Sequence, residues 1–431
     1  MYPRHVAPLL ADALLDTPVV LVNGARQSGK STLVKSVMSA DGQPRHYLTL
    51  DDVAVFNAAK SDASGFINAL QGPVTLDEVQ RAPELFLAIK AAVDRDRQPG
   101  RFLLTGSADV LVLPGIADSL AGRMEVLSLW PLSCAEMADS ALFNRADALF
   151  AGNWSALTIE PCERADLVAR LLAGGFADVV TRTSPKRRDA WFDSYIQAIL
   201  QRDVRDLANI EQLTEIPNLL QLLATRSATL LNFAELSRTA GLAQSTLKRY
   251  FALLEMLFLV VRVPSWERNP SKRLVKAPKV FLPDSGLLNY FTASSAEGLL
   301  AKPGLPGAMV ETFVLAELLK HVAFSAERLS LWHYRTLTHI EVDFVLENRL
   351  GQITGIEVKA SATVDGKDFK GLRHLAETES AIFQHGIVLY TGREVVPFGD
   401  KLWAVPLSVW WGALRAKQVA SKKQTTPGRV T

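Results

Sequence analysis

The chain has 431 residues, 48% of them hydrophobic and 21% charged, with a formal net charge of +2. This length predicts two to four domains, and this balance excludes a disordered or fibrous chain. It also excludes a uniformly basic nucleic-acid binder, because Lys417, Lys422, Lys423 and Arg429 lie in an acid-free tail and the remainder is not basic.

In chain order, Val19–Asn23 is a short apolar run that reads as a buried parallel strand. It leads into Gly24-Ala25-Arg26-Gln27-Ser28-Gly29-Lys30-Ser31, which fits G-x-x-x-x-G-K-[ST], the phosphate-cradling loop of nucleotide-binding enzymes. Thr32 to Met38 then reads as the opening of a helix. Helix N-termini present unpaired N–H groups to phosphate oxygens, and the two glycines let the backbone turn close to them. Lys30 is expected on the β- and γ-phosphates and the Ser31 hydroxyl on Mg²⁺, with ATP the ligand and residues 24 to 32 lining it.

Further strands are expected at His46–Leu50, Val74–Asp77, Phe102–Gly106 and Met124–Leu129, interleaved with helical patterns, the signature of a parallel α/β sheet. Val74-Thr75-Leu76-Asp77-Glu78 ends in two acids, about where the sheet edge meets the nucleotide. Asp77 is the expected Mg²⁺-associated residue and Glu78 the expected base toward the attacking water. Phe102–Gly106 ends near Thr105 and Ser107, either of which could sense the γ-phosphate or merely cap the strand. Arg123 could stabilise transition-state charge, on its own subunit or a neighbour's, or simply pair with an acid.

From Asp139 to Glu163 the periodicity fades, and a connector or small insertion is expected. Residues 164 to 225 read as helical, with Trp191 to Leu200 apolar at helical spacing. Phe233–Ala240, stopped by Gly241, and Ala243–Leu257 read as two helices before a strand at Phe258–Val263, a winged-helix outline. Gln244, Ser245, Lys248 and Arg249 would face a major groove. The segment 262–279 holds Arg262, Arg268, Lys272, Arg273, Lys276 and Lys279 against Glu267 alone, a wing that could touch DNA phosphates. The same module could instead serve only to pack domains together.

A second α/β unit follows from Gly307 to Trp411. It has a helix at Met309–Val322 and strands near Leu329–Tyr334, Glu341–Glu347, Ile353–Lys359, Gly386–Tyr390 and Leu402–Val405. On alternating strands Glu357 and Lys359 share a face. If the strands pair, Asp343, Glu357 and helical Glu311 can converge on a hard cation, with Lys359 orienting water. The bland alternative is a same-face ion pair between Glu357 and Lys359.

These segments together resemble the bacterial and archaeal predicted ATPases that join an AAA-type P-loop domain to an uncharacterised C-terminal domain. The resemblance rests on the loop at 24–31, Leu76-Asp77-Glu78-Val79-Gln80, Leu104-Thr105-Gly106-Ser107-Ala108, Leu120-Ala121-Gly122-Arg123, Trp130-Pro131-Leu132, Gln201-Arg202-Asp203-Val204 and Gly355-Ile356-Glu357-Val358-Lys359-Ala360. It implies ATP binding with hydrolysis and leaves the biological role open. The strands around Asp343 and Glu357 resemble PD-(D/E)xK nuclease-like domains. The expected fold class is α/β multidomain. An AAA-type P-loop domain spans 1–138 and a connector with helices 139–225. A winged-helix-like module spans 226–290, a mixed α/β nuclease-like domain 291–415 and a disordered basic tail 416–431. The arginine arrangement differs from that of ring-forming AAA ATPases, so the oligomeric state stays open.

No apolar run reaches the ~18 residues of a membrane span, and Met1-Tyr2-Pro3-Arg4-His5 lacks a signal-peptide pattern, so a cytoplasmic address and no membrane partner are expected. Two cysteines, Cys134 and Cys162, suggest no disulfide framework and make no zinc site by themselves.

Overall fold

A computed structural model describes residues 2–38, 42–109, 120–140, 142–152, 159, 161–204, 215–273 and 275–411. The tail expected at 416–431 lies outside the described residues. The first sheet contains β1 (Val19–Asn23), β2 (His46–Thr49), β3 (Val74–Asp77), β4 (Phe102–Gly106) and β5 (Met124–Ser128) in the order β2–β3–β4–β1–β5. All its pairings are parallel, with Val19 opposite Phe102 on one side and Met124 on the other. Every residue of β1 is buried, because helices cover both faces. Val19 and Leu21 join Leu85, Phe86 and Ile89 of the helix Leu85–Arg95 in one core. Val20 and Val22 join Leu10, Leu14 and Leu33 in the other. Parallel register brings the C-terminal ends Asn23, Asp77 and Gly106 to one edge, where ligands of such sheets bind.

The stretch expected as a connector contains a helix, Arg145–Ala151, capped by the Asn144 side chain. Further on, the helix Pro185–Ala198 continues into a π-turn at Ile199–Asp203. The helices Glu215–Thr225, Phe233–Ala240 and Gln244–Met256 surround a small sheet of β6 (Thr229–Leu230), β7 (Val261–Val263) and β8 (Lys279–Phe281), ordered β6–β8–β7. The strand expected from Phe258 begins only at Val261. Phe258 takes a left-handed φ of 56°, and Leu259 N–H donates to the Leu254 carbonyl at 2.9 Å, so these residues close the preceding helix.

The third sheet contains β9 (Ser330–Arg335), β10 (Glu341–Glu347), β11 (Ile353–Lys359), β12 (Phe383–Tyr390), β13 (Val396–Gly399) and β14 (Leu402–Pro406). Its order is β13–β14–β12–β11–β10–β9, with both parallel and antiparallel pairs. The helix Gly307–Val322 covers one face through Val310 and Val314 against Phe344 and Ile356. Leu372 and Leu375 of the helix Lys370–Thr378 cover the other against Val342 and Val388. The long helix also binds this unit to the first. Glu317 accepts from Cys134 N–H at 3.1 Å, and Asn144 Nδ2 donates to the His321 carbonyl at 2.7 Å.

Candidate functional site

The loop after β1 turns through Gly24 at φ 148°, where a Cβ would stand 2.1 Å from the Leu129 carbonyl oxygen, so only glycine passes. Gln27 also adopts a left-handed φ, 62°. Lys30 is buried and donates from Nζ to the Gly24 and Ala25 carbonyls at 3.0 and 2.9 Å, which folds its ammonium over the loop. The Ser28 hydroxyl is buried without a protein partner. Ala25 is buried, Arg26 and Ser31 are half-buried, and Gln27 and Thr32 are exposed along the rim.

Asp77, at the end of β3, receives the Ser31 hydroxyl at 3.0 Å, the Tyr47 hydroxyl at 2.6 Å and the Thr105 hydroxyl. Burial and the Asp77 contact push the Tyr47 phenol up, so it stays a donor. A serine hydroxyl facing a nearly buried carboxylate is the donor chemistry of a hard cation, and the buried Ser28 hydroxyl with the glycine bend suits phosphate oxygens. The residues present therefore fit a magnesium triphosphate.

Glu78 sits in the left-handed region at φ 63° and ψ 41°, a strained setting for a non-glycine residue. Its backbone N–H donates to Thr105 Oγ1 at 3.1 Å. Its Oε2 accepts the Ser107 hydroxyl at 2.9 Å and the Gln80 amide. Gln80 closes the triangle by donating to Ser107 Oγ at 2.8 Å. Thr105 and Ser107, either of which could sense the γ-phosphate or merely cap the strand, hydrogen-bond to the two acids, and Gln80 completes this frame.

The structure adds Arg4, which carries no motif. Its guanidinium donates to the Ser28 carbonyl at 2.6 Å, the Trp130 carbonyl at 2.7 Å and Glu136 Oε1 at 3.1 Å. This ties the N-terminal arm to the loop. Beside it opens a cavity of about 300 Å³, lined by Tyr2, Pro3, Arg4, Leu33, Leu132 and Gly175, among others. A larger cleft of about 640 Å³ lies at the opposite edge of the sheet, along Thr17, Arg123 and Met124, away from the loop.

Arg123 lies at the sheet edge away from the loop. It immediately precedes β5, and its carbonyl accepts from Val19 N–H at 3.2 Å, so it stands at the N-terminal edge of the sheet. The phosphate loop begins at the other end of β1, roughly 17 Å away along five strand residues. Arg123 pairs with Asp94 and cannot reach its own subunit's nucleotide.

In the third sheet the expected residues do converge. The β10–β11 register sets Phe344 opposite Ile356 and so places Asp343 beside Glu357; Lys359 Nζ donates to Glu357 Oε1 at 3.0 Å. Glu311 joins from the long helix. The centre, however, is taken by Lys279 of β8, whose ammonium lies 2.9 Å from Asp343 Oδ1, 2.8 Å from Glu341 and 3.3 Å from Glu311. Burial and the Asp343 charge push Glu311 and Glu357 up to about 8. Burial lowers the pKa of Lys279, but Asp343, Glu311 and Glu341 outweigh it and hold the ammonium charged. Where Glu311, Asp343 and Glu357 were expected to hold a metal, Glu311 and Asp343 instead pair with the Lys279 ammonium. Among the described residues no group of three or more His, Cys, Asp or Glu has the arrangement to hold a metal ion.

The expected basic wing is likewise largely neutralised within the chain. Arg262 pairs with Glu255, Arg268 with Glu379, Lys276 with Glu267, and Arg273 bidentately with Glu347 at 2.7 and 2.8 Å. Gln244, Ser245, Lys248 and Arg249 are exposed.

Residues 16–138 match the family described as an AAA domain. Residues 164–298 match a domain of unknown function, DUF8612, and 306–410 another, DUF4143. Two curated relatives are uncharacterized protein Rv2008c of Mycobacterium tuberculosis and uncharacterized protein Mb2031c of Mycobacterium bovis. Each is 30% identical over 404 residues, covering 94% of this chain and 83% of the relative. The chain belongs to the family of these mycobacterial proteins. It is a bacterial ATPase-like architecture, with an AAA domain at the N-terminus and a DUF4143 domain at the C-terminus. Among solved structures, a STAND protein with a tetratricopeptide repeat sensor from Pyrococcus horikoshii has TM-score 0.21 and 12% identity, covering 75% of this chain and 46% of that one. Protein VC1899 from Vibrio cholerae has TM-score 0.19 and 11% identity, covering 90% and 94%. Neither likeness carries weight for this chain's fold or chemistry. No helix among the described residues is long and apolar enough to cross a membrane.

Proposed function

We propose that this protein binds ATP with Mg²⁺ at the C-terminal edge of the first sheet, hydrolyses it, and passes its nucleotide state to the middle and C-terminal domains. The observation that carries the reading is the joint geometry of Ser31, Asp77 and Glu78. Ser31 Oγ and the Asp77 carboxylate face each other at 3.0 Å, and the neighbouring Glu78 carboxylate is aimed by Ser107 and Gln80. Lys30 and the loop N–H groups would hold the phosphates. Ser31 and Asp77 would hold Mg²⁺, which neutralises phosphate charge. Glu78 Oε would take a proton from water.

Coupling is supported by the cavity beside the loop, which Gly175 and Ala177 of the middle domain help to line. Gly175 N–H donates to Asp284 at 2.7 Å. The buried Lys320 ammonium pairs with Glu317 at 2.8 Å on the long C-terminal helix, and its charge acts on the buried Asp284. A ligand edge seated against Gly175 therefore touches a polar chain that crosses all three units. Calorimetric titration with ATP and Mg²⁺ tests the reading. Binding is expected for the wild type and at least tenfold weaker binding for Lys30→Ala; equal affinity for both overturns it.

A second reading, DNA contact, is favoured by one observation. The helix Gln244–Met256 presents Gln244, Ser245, Lys248 and Arg249 to solvent beside a three-stranded sheet whose order suits a winged helix. Lys248→Ala with Arg249→Ala is expected to weaken duplex binding and reduce its salt dependence.

A further inference from the structure

We infer that Lys279 is a built-in cation standing where a metal would sit, so that the C-terminal carboxylate cluster takes no divalent ion and cleaves no phosphodiester. In its place, the segment 262–279 is an intramolecular clasp between the middle module and the C-terminal sheet.

The first ground is the use of Asp343. A hard divalent cation approaches carboxylate oxygens to about 2.0–2.6 Å. A neutral hydroxyl on such an oxygen, as at Asp77, can turn aside or join the ion's ligands, whereas an ammonium cannot share it. Both oxygens of Asp343 are engaged: Oδ1 accepts from Lys279 Nζ at 2.9 Å, and Oδ2 accepts from Val358 N–H at 2.9 Å. An ion placed on Oδ1 would stand against an ammonium of like charge, in surroundings where little water screens the repulsion. The Lys279 side chain is only 3% exposed.

The second ground is where Lys279 sits. It does not hang from a loop that can swing out. It lies on β8, the central strand of its sheet, paired with Leu230 on one side and Val263 on the other. Withdrawing the ammonium means withdrawing the sheet. Other contacts hold that sheet down. Arg273 forks onto Glu347 of β10, Arg268 pairs with Glu379, and Lys276 Nζ donates to the Arg335 carbonyl at 2.7 Å. Backbone joins the same seam: His333 N–H donates to the Pro264 carbonyl at 2.9 Å and Trp266 N–H to the His333 carbonyl at 2.6 Å. The guanidinium of Arg273 also lies over Trp266 and Trp332.

The third ground is charge. Glu311, Glu341, Asp343 and Glu357 are answered by Lys279, Lys359 and Arg335, each within ion-pair distance of at least one of them. The cluster is thus nearly compensated by the chain's own cations and attracts a further one only weakly.

The test counts Mn²⁺ bound to the full chain without nucleotide, by the loss of the free-ion electron paramagnetic resonance signal, in four proteins: wild type, Asp343→Asn, Lys279→Met and Lys279→Met with Asp343→Asn. Binding at the nucleotide site is common to all four and cancels. The expected result is superimposable titrations for wild type and Asp343→Asn. Lys279→Met is expected to gain one Mn²⁺ that the double variant loses. A site in the wild type that Asp343→Asn removes overturns the inference. So does a folded Lys279→Met protein that gains none, since the ammonium would then not be what excludes the metal. If Lys279→Met fails to fold, the wild type and Asp343→Asn still decide. Because ATP is absent throughout, failure here is distinguishable from failure of the ATPase reading.

Discussion

Replacing Glu78 by glutamine keeps the side chain's size and removes its basicity. The amide oxygen can still accept from Ser107 and Gln80, so the triangle of Glu78, Ser107 and Gln80 has no steric reason to collapse. Glu78 touches neither Lys30 nor Ser31 by any of these bonds, so ATP affinity is expected within threefold of wild type. What is lost is the proton acceptor. A positioned general base contributes about 10²–10⁴ in rate, which is about 3–5 kcal/mol of barrier. Steady-state phosphate release should therefore fall at least a hundredfold at saturating ATP. Ser107→Ala should fall less, on the order of tenfold, because it removes one of two donors that aim the carboxylate and leaves its basicity. Calorimetry for binding and a coupled phosphate assay for turnover read the two effects separately. Turnover of Glu78→Gln within fivefold of wild type would refute the assignment of the base.

Arg123→Ala should leave single-turnover hydrolysis unchanged at protein concentrations where the chain is monomeric by sedimentation, because Arg123 lies at the far sheet edge; a tenfold loss there would contradict the geometry. Burial and the Lys279 charge depress His333 to about 4, against 6.5 for an ordinary histidine. Its neutral form is therefore favoured by folding. That contribution is complete above pH 6.5 and is lost as pH falls through the window from 6.5 to 4, by about 3 kcal/mol. Across this window the denaturant midpoint of His333→Gln should rise relative to that of wild type as pH falls; parallel slopes for the two proteins would contradict it. The opposite sign applies between pH 4.5 and 8 to Glu311 and Glu357, whose folded values near 8 exceed the ordinary 4.5, and this window overlaps that of His333. Stability is lost as pH rises from 4.5 toward 8, and Glu357→Gln should flatten that decline.

The strands of the nucleotide domain were legible because a parallel strand covered on both faces shows itself as a continuous apolar run bounded by turn residues. Val19–Asn23, Val74–Asp77 and Phe102–Gly106 coincide with the expected spans, and the end of each falls where a motif begins. Local devices were also legible: the Gly241 stop, and the alternation that puts Glu357 and Lys359 on one face. β13, which contains Pro397, and the short helix Arg145–Ala151 escaped notice because elements this short leave little periodicity. Arg4 escaped because its partners, Trp130 and Glu136, lie far along the chain.

Sequence alone determined that this chain carries a phosphate loop followed by a strand ending in two acids, and that four chemistry-bearing residues recur in the last domain. Within each segment, covalent spacing sets which side chains share a face, as for Glu357 and Lys359 on β11. Only the tertiary structure decided which edge of the sheet Arg123 occupies and whose cation meets Asp343. Those depend on strand order and on a lysine 64 positions away. In the nucleotide domain, folding brings hydroxyls to the acids; in the last domain, it brings an ammonium. The same carboxylate chemistry therefore faces hydroxyl donors in one place and an internal ion pair in the other.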